Sequence, residues 1–232
     1  ADEAPGFHMV YSSGTTGRPK GIRLPLPTGD VTASHMLAEA SASAYGTGPD
    51  TIYLSPAPLY HTAPLAYTTS THRLGGTVVV MPRFEPEALL AAIEKFGVTH
   101  VQMVPTMFVR LLKLPADIRG KYDVSSLRIV VHAAAPCPTE IKRAMLEWLG
   151  PIVYEYYAGS ERCGFTAIDS AQWLAHPGSV GQSLTGAIHI LDLETGNELP
   201  PGEVGGIYFE NPVPFHYHKD PLKTAATFNA RG

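Results

Sequence analysis

Strand-like and helix-like segments alternate through the middle of the sequence, from about residue 51 to residue 157. Short apolar runs typical of strands occur at 51–55, 77–81, 98–104, 127–131 and 152–157, and helix-like segments at 31–46, 85–97, 106–114 and 138–150. Neighbouring parallel strands need a crossover connection between them, and that connection is usually a helix. The alternation therefore predicts an α/β fold, with a mostly parallel sheet flanked by helices.

Local signals support individual elements of this pattern. Pro86 in the first turn and Gly97 at the end frame the helix predicted at 85–97. Thr139 is the predicted N-cap of the helix that follows it. The continuous β-branched run at 77–81 is typical of a buried parallel strand.

The last quarter of the sequence has a different character. Gly is frequent, and short alternating runs at 187–191 and 205–209 flank a Glu-Thr-Gly-Asn turn. Two such runs joined through a turn predict an antiparallel pair. We therefore interpret residues 1–177 as the main α/β region, and residues 178–232 as the start of a small antiparallel β unit, part of a barrel.

Composition limits the classes of protein to which this chain can belong. Its 232 residues are 44% hydrophobic and 16% charged, as in a globular protein with a sizeable core. The formal net charge of −4 predicts no nucleic-acid partner, since that would call for a basic face. Prolines interrupt the longest uncharged stretch, 51–72, which predicts no membrane span. Two cysteines, Cys137 and Cys163, are too few for a disulfide framework, so a cytoplasmic setting is expected.

The stretch YSSGTTGRPKG, at 11–21, combines glycines, hydroxyl-bearing residues and cations. It is not a Walker A loop, because Lys20 is preceded by Pro19 and followed by Gly21 rather than by Ser or Thr. Its glycines let a ligand approach the backbone, its hydroxyls donate hydrogen bonds, and Arg18 and Lys20 supply positive charge. These properties favour phosphate binding. A flexible Gly/Ser-type loop is the alternative.

Four loops are expected to lie at the same edge of the sheet, because ligands in open α/β sheets bind beyond the carboxyl ends of the strands. These loops are 12–21, 58–64, 132–138 and 158–164. Each combines small residues with a few polar ones, as a pocket that holds a flat base against the backbone does. The sequence therefore predicts a ligand site formed by these loops.

Ordinary structural roles are the alternatives for single residues of these loops. His61 also fits a plain loop histidine, and His132 the end of a strand. Glu161 fits one exposed acid among many, although acids beyond a strand end often hold a metal bound to phosphates. Tyr156 and Tyr157 alternate along their strand, so one is expected to face the core and the other a ligand.

Taken in order, these motifs resemble those of the adenylate-forming superfamily, which comprises acyl- and aryl-CoA synthetases, luciferase-like enzymes and nonribosomal-peptide adenylation domains. YSSGTTGRPKG resembles the phosphate-loop signature of that family, and YEYYAGSE its aromatic–Gly–x–Thr–Glu signature. The other segments similar to the family are PLYHTAPL, HAAAPCP, GSVGQSLTG, GEVGGIYFENP and HKDPLKTAATF. The resemblance covers nearly the whole chain.

The resemblance implies a site for ATP or AMP. The residues implied to bind the nucleotide are Ser12, Ser13, Gly14, Thr15, Thr16, Gly17, Lys20, Ala134, Ala135, Pro136, Tyr157, Ser160 and Glu161. Within this set, the loop from Ser12 to Lys20 would embrace the β- and γ-phosphates. Tyr157 would stack on the adenine, and the strip 134–136 would lie beneath it.

Further roles are implied by the same resemblance. The residues implied to be catalytic are Thr16, Lys20, His61 and Glu161. The Mg²⁺ ion would be held by Glu161 and Thr16. The residues implied to contact the acyl group are His61, Gly159, Cys163 and Gly164. The chain departs from the family pattern at two positions, with Ala158 in place of Gly and Ser160 in place of Thr. Ser retains the hydroxyl, so the geometry is expected to survive.

The activity implied is the ATP-dependent conversion of a carboxylic acid into an acyl-adenylate and then a thioester, with ATP, Mg²⁺ and coenzyme A taking part. The Ala- and Gly-rich border of the acyl site favours a bulky or extended apolar acid, as in a fatty-acid–CoA ligase. An amino-acid adenylation domain is the alternative kind of enzyme. A carrier protein is the alternative to coenzyme A as the thiol acceptor.

Both ends of the sequence are abrupt, and we expect the chain to be the central part of a larger domain. It stops before the ribose-binding Asp of the family, and before the small C-terminal domain with its catalytic Lys. These 232 residues alone are therefore expected to be inactive, and a nucleotide-binding fragment without turnover is the third alternative.

Overall fold

The computed structural model describes residues 5–12, 19–31, 36–210 and 212–229. The chain forms two compact units. The smaller unit comprises the described residues of 1–31, 157–167 and 182–232, and the larger unit those of 32–156 and 168–181.

Strands and helices are numbered in chain order. The described strands are β1 (Val10–Ser12), β2 (Lys20–Arg23), β3 (Ile52–Ser55), β4 (Thr77–Val80), β5 (His100–Met103), β6 (Ile129–His132), β7 (Val153–Ala158), β8 (Phe165–Ile168), β9 (Gln182–Ser183), β10 (Ile188–Leu191), β11 (Gly206–Phe209) and β12 (His216–Tyr217). The described helices are α1 (Met36–Tyr45), α2 (Thr62–Arg73), α3 (Pro86–Phe96), α4 (Pro105–Leu112), α5 (Ala116–Gly120), α6 (Thr139–Leu149), α7 (Ser170–Ala175) and α8 (Pro221–Ala225).

A parallel sheet is the main feature of the larger unit. Its strands lie in the order β4-β3-β5-β6-β7, and every neighbouring pair in this series is parallel. The helices between these strands provide the crossover connections that parallel pairing requires. The α/β fold with a mostly parallel sheet, predicted from the alternation of segments, is thus confirmed.

The core of the larger unit combines the apolar faces of the helices with buried residues of the strands, such as Leu54 and Val130. On α3, Leu89, Leu90 and Ile93 are each 1% exposed, as the spacing of apolar residues predicted. The same core contains Met145 of α6 and Phe108 of α4, neither of which is exposed at all. The end of α3 is also as predicted, because Gly97 adopts the left-handed conformation, with φ of 60°, and caps the helix.

Three local predictions are wrong. The run 77–81 is not a buried strand, because β4 lies at the edge of the sheet and Val80 is 49% exposed. Thr139 is not the N-cap of α6, since Pro138 holds that position and no side chain caps the helix. Residues 58–64 are not only a loop, because α2 begins within them at Thr62.

Helix α2 forms in a segment that is rich in Thr and contains a proline. Pro64 is the third residue of the helix, where a missing N–H breaks no intrahelical bond. The hydroxyls of Thr69 and Thr71 donate to the carbonyls of Leu65 and Tyr67, one turn earlier. Hydrogen bonds of this kind satisfy polar side chains within a helix, so a Thr-rich composition does not exclude one.

The smaller unit contains antiparallel β-structure. Strands β1, β2 and β12 form one sheet, and β10 pairs with β11 from Ile188↔Phe209 to Leu191↔Gly206. The antiparallel pair predicted at 187–191 and 205–209 is therefore confirmed. Strands β8 and β9 also pair antiparallel. The predicted boundary between residues 177 and 178 stays a prediction. Within the described part of the chain, no helix is long and apolar enough to span a membrane.

Candidate functional site

The two ends of the predicted phosphate loop lie opposite each other in an antiparallel pair. Ser12, the last residue of β1, faces Lys20, the first residue of β2. Lys20 thus begins a strand, whereas a Walker A loop leads into a helix, which agrees with the prediction that this stretch is not a Walker A loop. The other predicted nucleotide-binding residues of this loop, Ser13, Gly14, Thr15, Thr16 and Gly17, lie outside the described residues.

Lys20, Glu161 and Tyr217 meet in the smaller unit. The hydroxyl of Tyr217 donates a hydrogen bond to Oε1 of Glu161, with the two oxygens 2.8 Å apart. The ammonium Nζ of Lys20 lies over the ring of the same tyrosine, 5.2 Å from its centroid, which is the geometry of a cation–π contact. Two residues predicted from separate motifs are therefore joined through a third residue that the sequence analysis missed.

Tyr217 has a largely buried side chain and is 7% exposed. Burial, together with its hydrogen bond to Glu161, raises the pKa of the Tyr217 phenol to about 12. The phenol is therefore neutral at physiological pH and remains a hydrogen-bond donor. Its sequence signal was weak, because Tyr217 lies just before the family-like segment HKDPLKTAATF, to which no residue role had been assigned.

A second lysine adds positive charge beside Lys20. Lys223, in the third position of α8, interacts with the Lys20 side chain, which lowers the pKa of Lys223. Two ammonium groups held close together repel each other, and an anion between them relieves that repulsion. This arrangement suits a polyphosphate ligand.

The carboxylate of Glu161 fits a Mg²⁺ ion that arrives with a nucleotide. Mg²⁺ is usually held by one or two carboxylates together with substrate phosphates, rather than by an all-protein cage. Among the described residues no group of three or more His, Cys, Asp or Glu side chains could hold a metal by itself. Thr16, the other predicted ligand, lies outside the described residues.

The loop from Gly159 to Gly164 is a tight turn that carries Glu161. The backbone N–H of Arg162 donates to the carbonyl of Gly159 at 3.1 Å, and Arg162 itself has a φ of 58°. A Cβ added at Gly159 would lie 3.0 Å from Oε2 of Glu161, so this glycine leaves room for the carboxylate. Ser160 lies within the same turn.

Two residues predicted to border the acyl group lie farther along the same loop. A Cβ added at Gly164 would lie 1.9 Å from the Phe209 ring, so this glycine allows Phe209 to pack against the backbone. Burial raises the pKa of the Cys163 thiol, which disfavours the reactive thiolate. The proposed contacts of Gly159, Cys163 and Gly164 with an acyl group stay predictions.

The two tyrosines at the end of β7 differ as their alternation predicted. Tyr157 is 41% exposed. Tyr156 is half-buried, and burial raises the pKa of its phenol. The Tyr157 ring is therefore available to a ligand, and its stacking on adenine stays a prediction.

The strip Ala134–Pro136 follows β6 in the larger unit, and all three of its residues are exposed. Ala134 has a φ of 73°, a left-handed conformation that is uncommon for a residue with a side chain. Strained backbone of this kind occurs often at binding sites, where the surrounding structure maintains it. The strip thus presents an exposed surface, and its contact with an adenine stays a prediction.

A buried charged cluster lies directly beside this strip. Lys142 of α6 is fully buried, and its Nζ lies 2.5 Å from Oε2 of Glu155 and 5.0 Å from the centroid of the Trp173 ring. The fully buried Nε2 of His132 lies 3.4 Å from the same carboxylate oxygen. Burial, and next the positive charge of Lys142, lower the pKa of His132 to about 3. His132 is therefore neutral at physiological pH.

His61 lies at the N-cap of α2 in the larger unit. Its side chain is exposed, makes no capping hydrogen bond and lies with its ring centroid 4.6 Å from that of Tyr60. Its predicted place beside an acyl carboxylate stays a prediction. Among the described residues, the structure therefore joins Lys20 and Glu161 in the smaller unit, whereas His61 and the strip Ala134–Pro136 belong to the larger unit.

Comparison with known proteins identifies the family. Residues 7–216 match the family model described as AMP-binding enzyme. Among curated relatives, a 4-coumarate–CoA ligase from Pinus taeda is 31% identical over 97% of this chain and 43% of its own length. Acyl-CoA synthetase 7 from Caenorhabditis elegans is 31% identical over 88% of this chain and 38% of its own length. The chain spans about two fifths of the length of the curated relatives that it matches.

Solved structures agree with these sequence matches. The amide bond synthetase McbA from Marinactinospora thermotolerans superposes with a TM-score of 0.76 at 30% identity, over 94% of this chain and 43% of that one. ATP-bound MatB from Rhodopseudomonas palustris superposes with a TM-score of 0.77 at 28% identity, over 97% of this chain and 43% of that one. The match of the family model across most of the sequence and the shared fold confirm the resemblance seen in the motifs. This chain belongs to the AMP-binding enzyme family of adenylate-forming proteins.

Proposed function

We propose that the protein is an acid–thiol ligase, which activates a carboxylic acid with ATP and transfers the acyl group to coenzyme A. The observation that carries this proposal is the meeting of Lys20 and Glu161 on Tyr217. A nucleoside triphosphate with its metal ion needs two kinds of charged group for binding. These are a cation, here from a phosphate-loop motif, and a carboxylate that suits a metal. Relatives described as CoA ligases and as an acyl-CoA synthetase support the same reaction class.

The reaction has two steps. An oxygen of the acid attacks the α-phosphorus of ATP, the bond between the α-phosphorus and the bridging oxygen breaks, and pyrophosphate leaves. The sulfur of the thiol then attacks the acyl carbon of the adenylate, AMP leaves with the electron pair, and the thiol proton passes to solvent. Such phosphoryl chemistry depends mainly on positioning and on electrostatic stabilisation.

Each described residue has a defined part in this proposal. Lys20 neutralises charge on the phosphates, and Glu161 would hold the metal ion that accompanies them. When bound, Mg²⁺ would supply charge neutralisation at the phosphate oxygens. Tyr157 stacks on the adenine, and His61 lies by the carboxylate of the acid.

The identity of the acid is proposed at a coarser level. Relatives that are named for 4-coumarate, an aromatic acid, favour an apolar and extended acyl group over an amino acid. Fatty acids also have an extended apolar acyl group, and they remain the specific proposal made from the sequence. The protein is proposed to act in the cytoplasm on a small-molecule acid.

A second candidate differs only in the acceptor. The similarity to an amide bond synthetase favours an enzyme in which an amine, in place of a thiol, takes the acyl group from the adenylate. Both candidates share the first step and so share the roles of Lys20 and Glu161.

The test uses the full-length gene product and a panel of fatty, aromatic and amino acids. Pyrophosphate release that depends on an apolar acid, followed by thioester formation with coenzyme A, is the expected result. Amide formation from an added amine, without thioester, would support the second candidate. ATP binding without pyrophosphate release from any acid would contradict both. The 232-residue chain, assayed beside it, is expected to form no thioester.

A further inference from the structure

Tyr217 occupies a fixed position between two charged groups. Its strand, β12, pairs with β2, and Tyr217 lies opposite Ile22, two residues from Lys20. Its backbone N–H donates to the hydroxyl of Thr224 at 2.9 Å, and the Phe215 ring packs edge-on against its own ring at 5.5 Å between centroids. The backbone of Tyr217 is therefore fixed by strand pairing and by Thr224, and its ring is packed against Phe215.

The two charged groups contact different parts of this tyrosine. Glu161 accepts a hydrogen bond from the hydroxyl, whereas Lys20 lies over the face of the ring. A hydrogen bond to one oxygen of a carboxylate fixes the rotation of that group and leaves the other oxygen able to bind a cation. The electron-rich ring face holds an ammonium without removing its charge.

We propose that Tyr217 is a positioning residue, which orients the Glu161 carboxylate toward the metal ion of a bound nucleotide and holds the Lys20 ammonium beside it. This inference rests on the proposed function, since it concerns the same nucleotide site. A free Glu side chain loses rotamer freedom when it binds a metal, and a carboxylate that is already oriented avoids part of that cost.

Tyr217→Phe separates the two contacts. The variant removes the hydroxyl that orients Glu161, but it retains the ring that packs on Phe215 and underlies Lys20. Tyr208→Phe is the matched control, because it removes a tyrosine hydroxyl from another strand of the same unit, β11, at a residue to which no role in the site is assigned. Thermal denaturation of both variants checks that the fold is retained.

The measurement is calorimetric binding of ATP to the full-length gene product, with and without Mg²⁺. In the wild type and in Tyr208→Phe, Mg²⁺ is expected to tighten ATP binding. In Tyr217→Phe this tightening is expected to fall about tenfold, the scale of one hydrogen bond to a charged group. Binding of ATP without Mg²⁺ is expected to stay within about twofold of the wild type, because the Lys20 contact remains.

The outcomes distinguish this inference from the proposed function. If Mg²⁺ tightens ATP binding equally in the wild type and in Tyr217→Phe, the positioning role is overturned and the proposed function stands. Tighter Mg²⁺-dependent binding in Tyr217→Phe would also overturn it, since the hydroxyl would then compete with the metal. A wild type that binds no ATP under either condition would overturn both the inference and the function.

Discussion

Two glutamates of the same motif, YEYYAGSE, have opposite environments. Glu155 is 7% exposed, and its charge is neutralised by the buried ammonium of Lys142 at 2.5 Å. Glu161 is partly exposed, and its partner is the neutral phenol of Tyr217. A carboxylate with its own buried counter-ion has no charge to offer a ligand, whereas one that is only hydrogen-bonded retains its charge. The comparison indicates that Glu155 maintains the structure, and it supports the proposal that Glu161 serves the ligand.

The largest effect on stability is expected when the buried ion pair of Lys142 and Glu155 is broken. Lys142→Met should lower the free energy of unfolding by about 3–5 kcal/mol, because it leaves the buried Glu155 carboxylate without a counter-ion. Urea denaturation at neutral pH measures this change. The double variant Lys142→Met/Glu155→Gln removes both charges and should recover most of the loss. A single variant as stable as the wild type would contradict the structural role of the pair.

A smaller change in stability is expected at the glycines that flank Glu161. Gly164→Ala should destabilise the protein by about 1–3 kcal/mol, since its Cβ would overlap the Phe209 ring. Gly159→Ala should cost less, because its added Cβ would lie 3.0 Å from the nearest atom, Oε2 of Glu161, against 1.9 Å from the Phe209 ring at Gly164. Thermal denaturation of the two variants tests this order, and the reverse order would contradict the packing described for Gly164.

The exposed tyrosine of the same motif, Tyr157, is expected to affect ligand binding and not folding. Tyr157→Ala should weaken ATP binding by about 1–3 kcal/mol, the range for bases stacked on aromatic side chains. Tyr157→Phe retains the stacking surface and should bind like the wild type. Calorimetric titration of both variants in the full-length gene product is the measurement. Unchanged affinity in Tyr157→Ala would remove Tyr157 from the adenine site.

The smallest effect is the change in stability per pH unit that comes from the buried cluster of His132, Lys142 and Glu155. The pKa of His132 is lowered to about 3 in the folded protein, from an ordinary value of 6.5. The unfolded chain therefore binds the extra proton between these values, and stability should fall as the pH falls below about 6.5. The loss from this group is at most about 1.4 kcal/mol per pH unit. His132→Gln should flatten the pH profile of unfolding between pH values of about 6.5 and 5, and an identical profile would exclude His132 as its source.

Local sequence signals predicted the elements better than the contacts between them. The short apolar runs at 98–104 and 127–131 predicted β5 and β6, and the spacing of Leu89, Leu90 and Ile93 predicted the buried face of α3, because both depend on residues near each other in the chain. The edge position of β4 was not predictable, since strand order is decided by the whole sheet. Helix α2 was not predicted, because its segment is rich in Thr. The Thr hydroxyls are satisfied by carbonyls one turn earlier, and these bonds exist only once the helix has formed.

The residues of the candidate site likewise include some that the sequence predicted and some that it did not. The motifs predicted Lys20 and Glu161, because family-like sequences carry them at fixed spacing. Tyr217 and Lys142 were missed, since a tyrosine or a lysine outside a motif gives no sign of which charge it will meet after folding. Burial decides such roles, and burial is a property of the folded chain.

The central claim, that Glu161 serves the ligand and Glu155 the structure, is tested most directly by paired substitutions in the full-length gene product. The measurement is acid-dependent exchange of pyrophosphate into ATP across a Mg²⁺ titration, with urea denaturation of the same samples. Glu161→Gln should depress exchange strongly at low Mg²⁺ and leave stability nearly unchanged, because an amide does not replace a carboxylate on Mg²⁺. Glu155→Gln should lower stability and leave the Mg²⁺ dependence of exchange as in the wild type. Wild-type exchange by Glu161→Gln at every Mg²⁺ concentration would contradict the account.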